Sequence, residues 1–538
     1  MRYLKPQQVF YRIWFRLTKP RIDNSQAPAV RKKSGPFHPP ACRATSLLDA
    51  DTFYLLNQTG SLSNLGWADT SNSRSPSKLW RYNQHYFDDL NATNASDRSE
   101  WHLSLLEHWV SENEPGFGFG WDPYPTSLRI VNWVKWSYAG YLLPARCVQS
   151  LAVQVRFLMQ RIEFHILGNH LFANAKALIF AGVFFSGEEA ARWLREGLKI
   201  VGNQLPEQVL ADGGNFERSP MYHAIFMEDL LDLINLAQAF PDAISEITVS
   251  HWREVAQSML NWLNGMSHPD DEIAFFNDAA IGIAPSPVEL KDYAARVGAW
   301  ADPLQPCTIN FPDSGYVRLS SRHALALIDV APVGPDYLPG HAHADTLSFE
   351  LSLFRQRVFV NGGTSQYGTD EVRELERSTA AHSTVVINGE NSSEVWGGFR
   401  VARRAYPRDL VIKETTKLVS VSCAHDGYRR LSGKPIHRRT WEFSNSSLTV
   451  SDEINGDYES AVAYFHVHPN INISENACGW LLHLPQRKKV SVNVEVGNSE
   501  WISSFYAPEF GKRLKTRCLK IELPKEGSRV TINWSSND

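Results

Sequence analysis

The sequence predicts an α+β multidomain chain, helical first and strand-built after, on three observations. From about residue 98 to 300, apolar residues recur every three or four positions, the period of helices buried on one face. Beyond Gly315 the pattern becomes short β-rich runs separated by turn residues, with no long helix between them. Between the two regimes, residues 284–312 carry Ala-Pro-Ser-Pro and Asp-Pro-Leu-Gln-Pro, which break helices and central strands alike. The expected organisation is a basic arm over 1–45, a helical domain over 46–300 and an antiparallel β domain over 313–538.

The elements follow in order. Residues 1–36 hold nine Lys/Arg against one Asp. With Leu4, Val9, Phe10, Ile13, Trp14 and Leu17 among them, this arm reads as an amphipathic segment suited to peripheral contact with an anionic membrane surface. A basic arm packed on the protein's own acidic body is the alternative. Residues 20–45 and the serine-rich stretch 60–80 read as irregular. Helices are expected at 101–110, 126–143, 148–164, 171–185, 188–204, 220–240 and 249–265, as antiparallel hairpins either stacked or closed into a ring. Strands are expected at 316–319, 324–330, 347–354, 358–360, 384–387, 410–412, 419–422, 448–450, 461–466, 490–496 and 530–534.

Composition excludes several classes. With 43% hydrophobic and 21% charged residues the chain is not disordered, and a net charge of −4 gives no reason to expect a nucleic-acid partner. The six cysteines form no CxxC pair, which argues against a disulfide scaffold and a cysteine-based zinc site. No apolar run is long enough to span a membrane, and Arg12 and Arg16 interrupt what would be a signal-peptide core. The expected location is therefore cytoplasmic, with membrane association through the arm. The 17 tryptophans, many beside His, Asn, Asp or Arg, suit either sugar stacking or helical cores.

The most informative segment is Gly340-His341-Ala342-His343-Ala344-Asp345, ahead of an alternating run. On an extended backbone, positions i, i+2 and i+4 point the same way, so His341, His343 and Asp345 would share one face at a strand entrance. Such a face can move protons or hold a metal. Three other clusters carry unusual polarity. Gly168-Asn169-His170 precedes an apolar helix, with Asn169 as a cap or with Asn169 and His170 as donors to an anion. Ser219-Pro220 is a helix start that places Tyr222 in the first turn. The helix dipole there contributes about 0.3–1 kcal/mol, less than one pKa unit, so it cannot alone make Tyr222 a base. A nearby cation, Arg218, a histidine or a metal, would have to add more. The last cluster runs from Asn361 to Tyr367 and on to His382, where hairpin geometry would bring Asn361 and His382 beside His343.

Together these clusters resemble the heparinase II/III family of polysaccharide lyases. The resemblance runs in order through Arg2–Val9, Trp121-Asp122-Pro123-Tyr124-Pro125 with Arg129 and Asn132-Trp133, Asn169-His170, Ser219–His223, Gly340–Asp345 and Ala381-His382. It implies an N-terminal incomplete (α/α) toroid followed by a C-terminal antiparallel β-sandwich. It also implies β-elimination on an acidic, uronate-containing polysaccharide or oligosaccharide. Asn169 and His170 would neutralise the uronate carboxylate. Tyr222 and His341 match the proton-transfer residues, and Tyr367 is a further candidate. Trp121, Arg129, Arg218 and Arg377 would bind substrate, with Arg400, Arg403 and Arg404 available beside them. The family's structural zinc maps to His343, Asn361 and His382. Asn361 departs from the family's aspartate and is a poorer zinc ligand, which leaves zinc open. Two rivals stand beside the lyase reading. One is a glycoside hydrolase using carboxylates among Asp212, Glu217 and Asp229. The other is a non-catalytic glycan-binding or assembly protein, whose main support is Asn361.

Overall fold

The computed structural model describes residues 3–67, 76–300, 302, 306–476 and 479–535. It divides into two compact units: Met1–Val209 with Ala224–Leu260 and Val288–Ala301, and Leu210–His223 with Asn261–Pro287 and Asp302–Asp538. The units cut across the boundary expected at residue 300. Residues 210–223 and 261–287, which include the first turn of one helix and the last of another, belong to the strand unit. Part of the serine-rich stretch 60–80, residues 68–75, lies outside the described residues. Of the remainder, Leu62–Leu65 and Lys78–Gln84 are helical rather than irregular.

The helical unit contains Pro6–Leu17, Ser99–Glu112, Pro123–Tyr138, Ala145–Met159, Gly168–Phe184, Glu188–Gln208 and most of Pro220–Ala239 and Glu246–Gly265. The expected helices are all present, with ends shifted by a few residues. Pro123–Tyr138 starts earlier than expected because Pro123 supplies a preformed first turn. Two glycines let Gly168–Phe184 and Glu188–Gln208 approach closely. A Cβ on Gly182 would lie 2.5 Å from the Leu194 nitrogen, and one on Gly197 would lie 2.8 Å from the Ala175 carbonyl oxygen. Trp80, Trp109, Trp133 and Trp193 are fully buried, so much of the tryptophan fills core rather than facing sugar. Within this core Lys176 bonds Asp229 at 2.6 Å and Asp232 at 2.5 Å, Lys135 pairs with Asp232, and the Tyr293 hydroxyl donates to Asp232 at 2.8 Å.

Among the described residues the strand unit is built from two large antiparallel sheets and a two-stranded hairpin, Val395–Trp396 with Arg400–Val401. The eight-stranded sheet runs Pro407–Glu414, Val419–His425, Ile436–Phe443, Ser447–Asn455, Ser528–Trp534, Lys489–Val496, Gly479–His483 and Asn472–Asn476. The other runs Asn498–Glu509, Lys512–Glu522, Ala461–Val467, Gln356–Val360, Phe349–Leu353, Ala324–Asp329, Tyr316–Ser320 and Thr308–Phe311, with Val385–Ile387 paired to Ala461–Val467. Side chains of both sheets meet in one core, including Leu351, Phe359 and Phe465 from one and Val421, Trp441 and Val530 from the other. That is the face-to-face packing of a sandwich. Among the described residues no helix is long and apolar enough to cross a membrane.

Candidate active site

The strand unit gathers its chemistry around a carboxylate that the sequence did not single out, Asp278. Residues 341–348 are turns rather than a strand, and the strand begins at Phe349. The expected common face is replaced by convergence on a facing segment. His341 Nδ1 lies 2.9 Å from Asp278 Oδ2, and His343 Nε2 lies 2.8 Å from Asp278 Oδ1. Asp345 is not part of this convergence: its carboxylate accepts from Asn277 N at 2.8 Å. The two segments are further joined by Asp278 N to the His341 carbonyl (2.9 Å) and His343 N to Asn277 Oδ1 (3.0 Å). Arg373 closes the other side of Asp278 with a two-pronged pairing, Nη2 to Oδ2 at 2.7 Å and Nη1 to Oδ1. Burial works to raise the Asp278 carboxyl, but Arg373 and the two histidine hydrogen bonds outweigh it and hold it well below the usual range. Asp278 is thus an anion that fixes both imidazoles.

Tyr222 meets this centre as the sequence placed it. Ser219 caps the helix Pro220–Ala239, its Oγ accepting from Tyr222 N at 3.2 Å, so the phenol projects from the first turn. The Tyr222 ring stacks on His341 with centroids 3.8 Å apart, and its hydroxyl lies 2.8 Å from that of Tyr367. Burial pushes the Tyr367 phenol well above its ordinary value, so Tyr367 keeps its proton and can donate to Tyr222. The cation expected near Tyr222 is not Arg218. That guanidinium donates to the carbonyls of Ser314 (3.0 Å), Asp313 (3.3 Å) and Phe216 (3.4 Å). The ring stacked beside Tyr222 is that of His341.

Asn169 and His170 belong to the helical unit. The helix starts at Gly168 with Leu167 as its cap, so Asn169 is not the cap; both residues sit partly exposed in the first turn. His170 Nδ1 lies 3.0 Å from Glu163 Oε1, and the ring packs against Tyr124 at 4.4 Å, tilted by 34°. Glu163 is buried and held by Asn174, whose Nδ2 donates to Oε2 at 3.1 Å. Glu163 therefore orients the His170 ring through Nδ1. The sequence reading passed over it, although an acid shortly before an Asn-His turn is a usable signal.

Four expected substrate contacts have other roles. Trp121 is buried, 5.9 Å from the Trp109 ring and 5.4 Å from Phe157. Arg129 is fully buried, 3.8 Å over Trp109 and bonded to Gln154 at 3.0 Å. Arg377 is buried and donates to the Ala342 carbonyl at 2.9 and 3.1 Å, fixing the loop between the two histidines. Arg218 is spent on carbonyls. Polar-aromatic company misled the reading, because guanidinium over indole is also good core packing. Of the other arginines, Arg403 pairs with Glu394 and Arg404 with Asp336, while Arg400 is exposed, 4.7 Å over the Trp396 ring. The hairpin that carries Arg400 brings half-exposed Phe399 within 6.1 Å of His341 and 5.1 Å of Tyr367. It is a flat apolar face at the site that the sequence did not flag.

The proposed metal set is brought together only in part. His343 Nδ1 and His382 Nε2 face each other at 3.0 Å, both rings buried. Asn361 is bonded elsewhere: its Oδ1 accepts from Ser383 N at 3.0 Å and its Nδ2 donates to Ser348 Oγ at 3.3 Å. Among the described residues no group of three or more His, Cys, Asp or Glu gathers as a metal cage. The tautomers are nevertheless informative. His343 gives its Nε2 proton to Asp278, and His382 gives its Nδ1 proton to the Ser378 carbonyl at 2.7 Å. Neutral rings with those tautomers turn two lone pairs toward each other, an arrangement that fits a shared cation.

Comparison with known proteins agrees with this architecture. The family described as "Heparinase II/III-like, C-terminal" matches residues 304–535, and "Heparinase II/III N-terminus" matches 142–294. The chain belongs to the heparinase II/III family. A heparin-sulfate lyase of Bacteroides stercoris is 24% identical over 385 residues, which cover 66% of this chain and 55% of that protein. The chain thus spans about half the length of that relative. FtsZ-localized protein C of Caulobacter vibrioides is 24% identical over 517 residues, covering 84% of each chain. Among solved structures, heparinase III superposes with a TM-score of 0.70 at 18% identity, covering 88% of this chain and 80% of that one. With that neighbour the fold of this heparinase II/III member is an incomplete (α/α) toroid followed by an antiparallel β-sandwich.

Proposed function

We propose that this heparinase II/III member is a polysaccharide lyase that cleaves a uronate-containing acidic glycan by β-elimination. The observation that carries the reading is the pairing of Tyr222 with His341, stacked at 3.8 Å, with His341 oriented by Asp278 and Tyr222 bonded to Tyr367. Two side chains able to carry a proton sit side by side on a rigid anionic support, as general acid–base chemistry requires. Asn169 and His170 act as donors to the uronate carboxylate, whose charge grows as the C5–H bond weakens. The C5 proton passes to Tyr222 or His341, the bonding pair becomes the C4–C5 double bond, the C4–O4 bond breaks and O4 takes a proton. The C5 epimer decides which of the two residues faces the hydrogen. Phe399 offers a face for a sugar ring beside them.

The hydrolase rival keeps one of its three carboxylates at the site, Glu217, whose Oε2 lies 3.9 Å from His341 Nε2, and the other two are engaged elsewhere. Asp212 accepts from Ser314 N at 2.7 Å and Asp313 N at 3.0 Å, and Asp229 is held by Lys176. A non-catalytic glycan-binding or assembly role is a second reading, supported by Asn361, which bonds Ser383 and Ser348 rather than the two histidines. The reading includes a structural zinc ion held by His343 and His382; Asn361 would join them only by giving up its bonds to Ser383 and Ser348. The facing lone pairs and the Asp278 support behind His343 speak for it. Zinc would cross-link the loops and supply no step of the elimination. The glycan would belong to surface polysaccharide assembly or recycling on the cytoplasmic side of a membrane, in keeping with the basic, apolar N-terminal helix; cell fractionation tests that placement.

The test is to mix purified protein with heparan sulfate, chondroitin sulfate, alginate and other uronate polymers and oligosaccharides, and to follow ultraviolet absorbance of the unsaturated product. A rise with one substrate, lost in Tyr222→Phe, is expected. Glycan retained without a rise supports the binding reading, and cleavage without a rise supports hydrolysis.

A further inference from the structure

The helix Pro6–Leu17 is fastened to the helical unit by one face only. Gln8 is buried, and Tyr11 packs on Phe164 at 4.8 Å. Phe15 meets His165 edge-on at 5.1 Å, and the Arg161 guanidinium lies 4.9 Å over the Phe15 ring. Lys5 pairs with Glu207, and Arg161 also donates to the Phe15 carbonyl at 3.3 Å. At 100° per residue, Gln8, Tyr11 and Phe15 share one side of the helix, and Val9, Phe10, Ile13, Trp14 and Leu17 share the opposite one. Those five are exposed, from 37% for Val9 to 78% for Leu17. Phe10 and Trp14 stack on each other at 6.1 Å, so the outward face is preorganised.

An apolar stripe turned to solvent on a well-anchored helix has no packing reason to exist. Its surroundings indicate what covers it. Exposed Arg12 and Arg16 lie one turn apart along one edge of the stripe, exposed Lys19 and Arg21 follow it, and residues 1–22 contain no Asp or Glu. A one-signed cationic edge beside aromatic and aliphatic side chains is how a helix lies in the interface of an anionic bilayer, its apolar side sunk by about 5–10 Å.

We propose that the outward face of Pro6–Leu17 is a docking surface for anionic phospholipid membranes, which holds the protein at the bilayer through Phe10, Ile13, Trp14 and Leu17 with Arg12 and Arg16 on the headgroups. The inference stands apart from the lyase reading, because none of these residues belongs to the proton-transfer site.

The experiment is sedimentation of the full chain with vesicles of phosphatidylcholine alone or with phosphatidylglycerol added. The expected result is binding to the anionic vesicles only, weakened by salt. It should fall by on the order of tenfold or more in Phe10→Ser/Ile13→Ser/Trp14→Ser. Arg12→Glu/Arg16→Glu should lose the preference for anionic lipid. The substituted side chains are exposed, and an unchanged melting temperature verifies the fold. No vesicle binding, or equal binding by the triple variant, overturns the proposal. A concentration-dependent dimer that the triple variant abolishes, without vesicle binding, overturns it in favour of a second copy covering the face.

Discussion

The strand unit contains two buried histidine pairs, each backed by a buried Asp–Arg pair, and they are wired differently. In the sandwich, Gly427 N donates to His425 Nδ1 at 3.2 Å, and His425 Nε2 lies 3.3 Å from His437 Nδ1. His437 Nε2 then reaches Asp452 Oδ1 at 2.7 Å, with Arg439 on the same carboxylate at 2.7 and 3.0 Å. Every proton in that chain has a donor and an acceptor. The other pair, His343 and His382, has given both its protons outward, to Asp278 and to the Ser378 carbonyl. A finished network rigidifies a core; in the other pair the lone pairs face each other, and its carboxylate also orients His341.

The comparison can be broken at the carboxylates. Asp278→Asn leaves Arg373 buried against a neutral amide, and Asp452→Asn does the same to Arg439. Each should cost about 3–5 kcal/mol, read by denaturant unfolding. A loss in one variant only would mean that the two supports are not alike. The histidines sharpen the contrast. Zinc content measured by mass spectrometry should be roughly one per chain and survive His425→Ala but not His382→Ala, and chelation should lower the melting temperature only where zinc is present. In the helical unit, Glu163→Gln removes the anion behind His170 and should lower kcat about 10–100-fold with an unchanged melting temperature. A parallel fall with Phe15→Ala would point to general loosening instead.

Acid sensitivity is common to both pairs and their buried neighbours, since burial lowers His343, His382, His425 and His437 as well. Burial lowers His466 and His468 to about 4, below the roughly 6.5 of an unfolded chain. Between those values the unfolded chain binds protons that the folded one does not, so stability should fall as pH drops from about 6.5 towards 4. His466→Gln should flatten that limb in pH-dependent unfolding. The smallest effect belongs to Phe399→Ala, which should raise KM several-fold at unchanged kcat if the ring only supports substrate.

What was legible in the sequence followed local rules. Ser219-Pro220 announced a helix start, and the structure puts Tyr222 N on the Ser219 hydroxyl. The helix and strand periods located most elements, because burial on one face writes itself into three- and four-residue or two-residue spacing. Asp278 was not legible. It lies in an aperiodic segment 63 positions from His341 and 95 from Arg373, and only the folded chain brings them together. Arg129 and Trp121 were misread for the opposite reason, since the residue types that bind sugars also fill cores. The His-x-His spacing pointed to a real convergence, but on the wrong geometry: a turn facing Asp278 replaces one face of a strand.

The most direct test of the account is the rate of unsaturated-uronate formation, per folded molecule, in Asp278→Asn and Asp452→Asn. The account predicts loss of at least about 100-fold in Asp278→Asn, because His341 loses its orienting anion. Asp452→Asn should keep near-wild-type turnover despite a similar loss of stability. Equal rates in the two variants would contradict it, since Asp278 would then be as purely structural as Asp452.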